Sequence, residues 1–252
     1  TDLALDWLAG QINPATNLIA GFEGIPAADS SYGVTFTFNQ AEAIQTFLAA
    51  GDLARARQLA DGLMALQEAD GAWRNAYITA TGATATKSVE QSQRWTGPNV
   101  AVGASLLDVA ALTPEDTSYF KSAQRLAGWL DPLFQDFGDF GFFKGGDEVP
   151  WVASEHNMRV LPYYAKLFAR TGKGIYNARL AKIRRWLNEH MFAGDHYELG
   201  LLSVNPNDIN GDSSIAVDIQ ALAVIMATRA GLDPLEFAGG LDWLLERTTQ
   251  RN

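Results

Sequence analysis

The sequence predicts an all-α fold of stacked helical hairpins, about four to five of them, with few short strands in the loops. Three observations point there. Apolar residues recur at helical spacing along most of the 252-residue chain. Glycines such as Gly51, Gly172 and Gly231 break that pattern at regular intervals. Polar clusters repeat at the start of every second helix: Thr37-Phe38-Asn39-Gln40, Thr96-Gly97-Pro98-Asn99, Ser154-Glu155-His156-Asn157, and Ser213-Ser214 leading to Asp218. Taken at 39, 99, 155 and 218, these clusters are spaced by 60, 56 and 63 residues. Repeated hairpins stack side by side, which brings the same end of each first helix to one face.

In chain order, Leu3 to Ile12 reads as a first helix ended by Asn13-Pro14, and 13–36 as loop. Ala41, Ile44, Phe47 and Leu48 mark the first helix of hairpin one. Asp52 caps its partner, which carries Leu53, Ala56, Leu59, Leu63 and Leu66. Residues 74–95 read as a long polar loop or a short strand pair. Hairpin two runs from Pro98 to about Phe134, with Thr113-Pro114 between its helices. Hairpin three starts with Ser154 as N-cap and breaks at Gly172; its second helix carries Ile175, Leu180, Ile183, Trp186 and Leu187. Hairpin four has Ile215, Ile219, Leu222 and Ile225, and Asp233-Pro234 opens the last helix. The first helices are more uniformly apolar and the second ones more charged. That contrast predicts inner and outer helices of an α/α toroid, one domain over residues 1–252.

Composition limits the function. An apolar fraction of 47% with 11% aromatics supplies a core. A net charge of −10 argues against a nucleic-acid backbone or an anionic membrane surface as partner. No apolar run reaches the roughly 20 residues of a membrane span. The absence of cysteine excludes disulfides and thiolate metal sites, and the three histidines lack metal-ligand spacing, so no metal or cofactor is expected. Asp208-x-Asn210-x-Asp212 has the alternation of a calcium loop but lacks its glycine and late Glu, and reads as a polar turn. No phosphate-binding glycine loop or nucleophile elbow is present. The chain opens at Thr1 without Met, which fits either a processed protein or a piece of a longer one; a periplasmic or secreted place is somewhat favoured over a cytoplasmic one, and the sequence does not fix it.

Two motifs carry a resemblance. Gln67-x-x-Asp70-Gly71-x-Trp73 resembles the turn motif of α/α toroids such as the terpene cyclases, although no Asp-rich diphosphate motif accompanies it. Over residues 35–245, the starts Phe36-Thr37-Phe38-Asn39-Gln40-Ala41, Thr96-Gly97-Pro98-Asn99 and Ser154-Glu155-His156-Asn157 resemble bacterial α/α-toroid proteins of the six-hairpin glycosidase type. The resemblance implies a carbohydrate-active protein with its groove at the inner-helix N-termini. It departs from the pattern at Asn39, where an Asp is expected, and in having fewer than six hairpins.

The leading expectation is a glycoside hydrolase acting on an oligo- or polysaccharide, with Glu155 and Asp218 as the carboxylate pair and Glu155 as the acid. Asn39, Gln40, Trp95, Asn99, Asp139, Trp151, His156, Asn157 and Tyr197 are the expected substrate contacts. Each has a plainer alternative: capping for Ser154 and Glu155, a structural hydrogen bond for Asp218, turn-shaping for Asp136 and Asp139. Trp73 reads as packing. Two rival functions remain: a polysaccharide lyase using His156, Asn157, Arg159 and Tyr163 or Tyr164, and a non-catalytic glycan-binding protein, favoured by the amide at Asn39.

Overall fold

The structure, a computed structural model, describes residues 2–204, 211–212 and 214–249. The calcium-loop-like Asp208 and Asn210, and Ser213, lie outside the described residues. Contacts divide the chain into two compact units, residues 1–129 and 130–252.

The first unit begins with α1 (Asp2–Gly10), a loop, and β1 (Val34–Phe36), which runs directly into α2 (Thr37–Ala49). Then come α3 (Leu53–Leu66), β2 (Ala76–Ile78), the single turn α4 (Val89–Ser92), α5 (Thr96–Leu112) and α6 (Ser118–Leu130). β1 and β2 pair antiparallel, Val34 with Ile78 and Phe36 with Ala76. The long polar loop thus contains a strand and a helical turn. α2 packs on both α3 and α5. α5 is buried on nearly every face, whereas α3 buries only Ala56, Leu59, Ala60, Gly62 and Leu63. This difference in burial is the inner–outer contrast anticipated from hydropathy. Asp52 caps α3 by accepting a hydrogen bond from the Arg55 amide at 3.0 Å.

The second unit holds a 3-10 turn (Asp131–Leu133), β3 (Phe134–Asp136), β4 (Gly141–Phe143), β5 (Val152–Ala153), α7 (Ser154–Thr171), α8 (Gly174–Trp186) and a π-helical turn (Leu187–Met191). It continues with β6 (Gly200–Leu201), β7 (Gly211–Asp212), α9 (Val217–Arg229), a second 3-10 turn (Pro234–Phe237) and α10 (Gly239–Thr249). β3 and β4 form a hairpin, and β5-β6-β7 a small antiparallel sheet. α7 packs on α8 and α9, and α9 on α10. α7 ends at Gly172 with φ 66°, the left-handed C-cap expected there.

One interaction recurs at the start of the inner helices. α2, α5, α7 and α9 all follow an extended residue (Phe36, Trp95, Ala153, Ala216) that makes no side-chain cap bond. The polar group sits four residues further on, as Gln40, Asn99, Asn157 and Gln220, each fully buried. Asn99 Oδ1 accepts from the Trp73 amide at 2.7 Å, and its Nδ2 donates to the carbonyls of Trp73 at 3.0 Å and Trp95 at 2.8 Å. Asn157 does the same with Phe143 (2.8 and 3.0 Å) and Ala153 (3.0 Å). Gln220 does so with Tyr197 (2.7 and 2.9 Å) and Ala216 (3.1 Å). Gln40 Nε2 donates to the Ile19 carbonyl at 2.9 Å, while its Oε1 is buried without a hydrogen-bond partner. Asn99, Asn157 and Gln220 therefore pin the segment that precedes their helix by both polar groups of one residue, whereas Gln40 holds only a carbonyl.

Hydroxyls at the first helical position add a second tie. Thr37 Oγ1 donates to the Arg74 carbonyl and Ser154 Oγ to the Glu198 carbonyl at 2.7 Å. Ser154 is thus the first residue of α7, not its N-cap as the sequence suggested; the hydroxyl is drawn away to the β6 loop. The Gln67–Trp73 motif belongs to the same machinery. Gln67 Nε2 donates to the Gly71 and Ser122 carbonyls at 2.8 and 3.0 Å, and Trp73 Nε1 to the Leu63 carbonyl at 2.7 Å. Gly71 turns there with φ 101°, a conformation that a side chain disfavours.

Removing a clamp leaves buried main-chain N–H and C=O groups unpaired, each costing about 1–3 kcal/mol. Asn157→Ala is expected to destabilise the fold by about 3 kcal/mol, read as a lower urea midpoint. Asn157→Gln recovers part of that loss, since only the reach of the amide changes.

Candidate active site

In the second unit, α7, β5 and β6 enclose a cleft of about 380 Å³ lined by Trp151, Val152, Ala153, Glu155, His156 and 199–202. Its walls follow from local sequence. β5 delivers the chain into α7 with Trp151 before it and Glu155-His156 in the first helical turn. The Ala153–Gly200 register holds the β6 loop opposite.

Trp151 is half-buried, and its indole lies directly on the Gly145 main chain. A Cβ at Gly145 would fall 2.2 Å from the ring, so only glycine permits this seat. The Gly145 amide also donates to the Trp151 carbonyl at 2.8 Å. His156 packs edge-on against the indole, ring centroids 5.2 Å apart. Burial pushes its imidazole down to about 4, partly offset by the Glu155 carboxylate. At neutral pH it is an uncharged ring that braces Trp151. Glu155 is half-buried and accepts a hydrogen bond from Arg159 Nε at 2.9 Å, one helical turn on. Asp218 is exposed in the first turn of α9.

The clamps re-register the repeat. Counting from them, Glu155 and Asp218 are equivalent, each the second residue of its helix, and Phe38 and Gly97 stand in the same place on α2 and α5. Asn39 is equivalent to His156, not to Asn99. Matching 39 with 99 pairs two asparagines, whereas the recurring feature is a buried amide, which on α2 is Gln40, one methylene longer.

The remaining expected contacts separate into three groups. Gln40, Asn99 and Asn157 are corrected to structural roles: their amides are buried and spent on main chain, so a sugar could reach them only by breaking a clamp. Tyr197 is likewise a packing residue. It is buried against Phe192 and Phe237, and its hydroxyl meets Asn188 at 3.2 Å. Trp73 is buried, as expected. Asp139 sits exposed on the β3–β4 turn, 3.7 Å from Arg185. Trp95 is half-buried at the start of α5, its indole donating to Gln93 Oε1 at 3.0 Å. Asn39 is half-buried beside a second cleft, in the first unit. The structure brings Trp151, Glu155 and His156 together in one cleft; Asp139, Asp218 and Tyr197 are not among the residues that line it.

Sequence reasoning missed Gln220 as a clamp and Arg159 as the partner of Glu155. The Glu–Arg spacing of four residues was the available signal for the second. Among the described residues, no cluster of His, Asp and Glu could hold a metal ion, and no helix is long and apolar enough to cross a membrane.

No family model matches the chain, and no curated protein matches it. Solved structures do. A family 76 glycoside hydrolase (mannosidase) from Bacteroides thetaiotaomicron is 13% identical with a TM-score of 0.73, covering 98% of this chain and 70% of that one. An endoglucanase of glycosyl hydrolase family 8 from Klebsiella pneumoniae is 12% identical with a TM-score of 0.66, covering 91% and 74%. A cellobiose 2-epimerase from Bacillus thermoamylovorans is 10% identical with a TM-score of 0.67, covering 96% and 69%. At such identities the likeness is one of fold: the chain has the α/α-toroid fold that its alternating inner and outer helices predict.

The buried imidazole makes a pH prediction. An unfolded His binds its proton near pH 6.5, the native one near 4. Between those values the unfolded chain carries more protons, so stability falls as pH drops through that window and is independent of this group above it. The full difference is worth about 3 kcal/mol. His156→Leu is expected to flatten the pH 4–6.5 limb of the urea-midpoint curve by one proton relative to the parent.

Proposed function

We propose that the protein is a glycoside hydrolase acting on a neutral polysaccharide, with Glu155 and Asp218 as its carboxylate pair. The observation that carries this reading is their equivalence: both stand second in neighbouring, packed inner helices, levelled by the Asn157 and Gln220 clamps. Packed helix axes lie about 8–10 Å apart. A carboxylate separation on that scale would suit inversion, which uses roughly 6.5–9.5 Å and a water between the two groups. The likeness in fold to a mannosidase and an endoglucanase agrees with this chemistry.

The roles follow from partners. Glu155 is bonded to the Arg159 guanidinium, an arrangement made by an ionised carboxylate, so it serves as the base that activates water. Asp218 serves as the acid that protonates the leaving oxygen. This exchanges the roles assigned from sequence, because the Arg159 contact is a feature of the folded helix. Trp151 offers its indole face to the apolar side of a sugar ring. Among the described residues no Lys or Arg lines the cleft, which favours a neutral glycan over a uronate.

Two rivals fare worse. Tyr163 and Tyr164, the lyase candidates for a base, are buried, and burial pushes both phenols above their usual range. An epimerase working through His156 would need a base that is accessible and titrates near neutrality; this ring does neither.

Glu155→Gln and Asp218→Asn are each expected to lower turnover by about 10²–10⁴-fold on whichever of mannan, β-glucan or starch the parent cleaves. NMR of the first-formed product is expected to show the inverted anomer. Parent-like turnover by Glu155→Gln would sink the assignment. Binding of all three polysaccharides without any turnover would make the protein a glycan-binding one.

A further inference from the structure

The first unit contains a cleft that the hydrolase reading does not use. It measures about 280 Å³ and lies between α1 and α2. One wall is the indole of Trp7, which stays 54% exposed although apolar Ile19 and Ala43 lie beside it. Its Nε1 donates to Glu23 Oε2 at 3.0 Å, which fixes the ring plane and leaves a face toward the cleft. The opposite wall is one stripe of α2, where Asn39, Glu42 and Thr46 recur at helical spacing. The floor is the main chain of 19–21, held by the Gly21 amide donating to the Val34 carbonyl at 2.8 Å and by Gln40 on the Ile19 carbonyl.

We propose that this cleft is a second, non-catalytic binding site for one neutral sugar residue. The chemistry is that of sugar recognition. A flat aromatic face takes the C–H side of a pyranose. A carboxamide both donates and accepts, a carboxylate accepts from ring hydroxyls, and a Thr hydroxyl does either. The volume lies at the small end of ligand pockets, which begin near ~300 Å³, and so is sized to a single residue of a chain. Glu23 and Glu42 disfavour an anion there. A cation site would call for more than one aromatic wall, and among the described residues Trp7 is the single aromatic one lining this cleft.

The test is equilibrium binding in the Glu155→Gln background, so that turnover plays no part. Mannotetraose and cellotetraose are titrated by calorimetry and by chemical-shift change of the Trp7 indole N–H. Trp7→Ala and Asn39→Ala, at half-exposed positions, are expected to raise the dissociation constant of one site at least tenfold with an unchanged melting temperature. Trp151→Ala is expected to leave that site intact. If Trp7→Ala alters folding, Trp7→Phe together with Asn39→Ala reads the same site. Parent-like affinity in both variants, loss of all binding on Trp151→Ala alone, or binding of choline in place of either sugar would overturn the proposal. Each of these outcomes is independent of whether Glu155 is catalytic.

Discussion

The architecture depends on a buried carboxamide doing the work of a short strand. At Asn99, Asn157 and Gln220, one side chain pairs with the N–H and the C=O of a single loop residue, as a neighbouring β-strand would. A third bond ties the amide to the carbonyl that starts its own helix. Loops between hairpins carry main-chain groups that must be paired wherever they are buried. A helical fold has few free partners to offer, and the repeated amide supplies them at the point where each inner helix begins.

Because the fourth residue of each inner helix is committed, the second residue holds the same place relative to the clamp in every repeat. On α7 and α9 that place holds Glu155 and Asp218; on α2 and α5 it holds Phe38 and Gly97. The third place holds His156 on α7, and its neutral ring braces Trp151 over Gly145. The residues proposed to act on sugar are the ones the clamps leave uncommitted.

Much of this was legible from sequence because it is local. Helical periodicity, the Asp52 cap, the Gly172 stop and the burial contrast between α5 and α3 depend on residues within a few turns of one another. Trp151, Glu155 and His156 share a cleft because they are sequence neighbours. What eluded the sequence depends on distant partners. Whether Asn99 faces a ligand or main chain is decided by Trp73, 26 residues away, and β1 exists only because β2 lies beside it. The repeat was visible but out of register: against the amides at 40, 99, 157 and 220, the points taken at 39, 155 and 218 fall one, two and two residues early, because adjoining polar residues are distinguished only by their burial and bonding. The pairing of Glu155 with Arg159 was readable from spacing, yet its bearing on the assignment of acid and base needed the folded geometry.

The clamp also sets a chemical lifetime. An amide can face one N–H and two carbonyls at once; a carboxylate of the same shape cannot, since both its oxygens accept. Hydrolysis of the Asn99 or Asn157 side chain to Asp would turn a donor toward two carbonyl oxygens into an acceptor, at a site with no exposure to water. Spontaneous deamidation changes neither shape nor volume, so it would leave the packing of the inner helices untouched while reversing the polarity that binds them to their loops. Each clamp thus depends on its side chain remaining an amide.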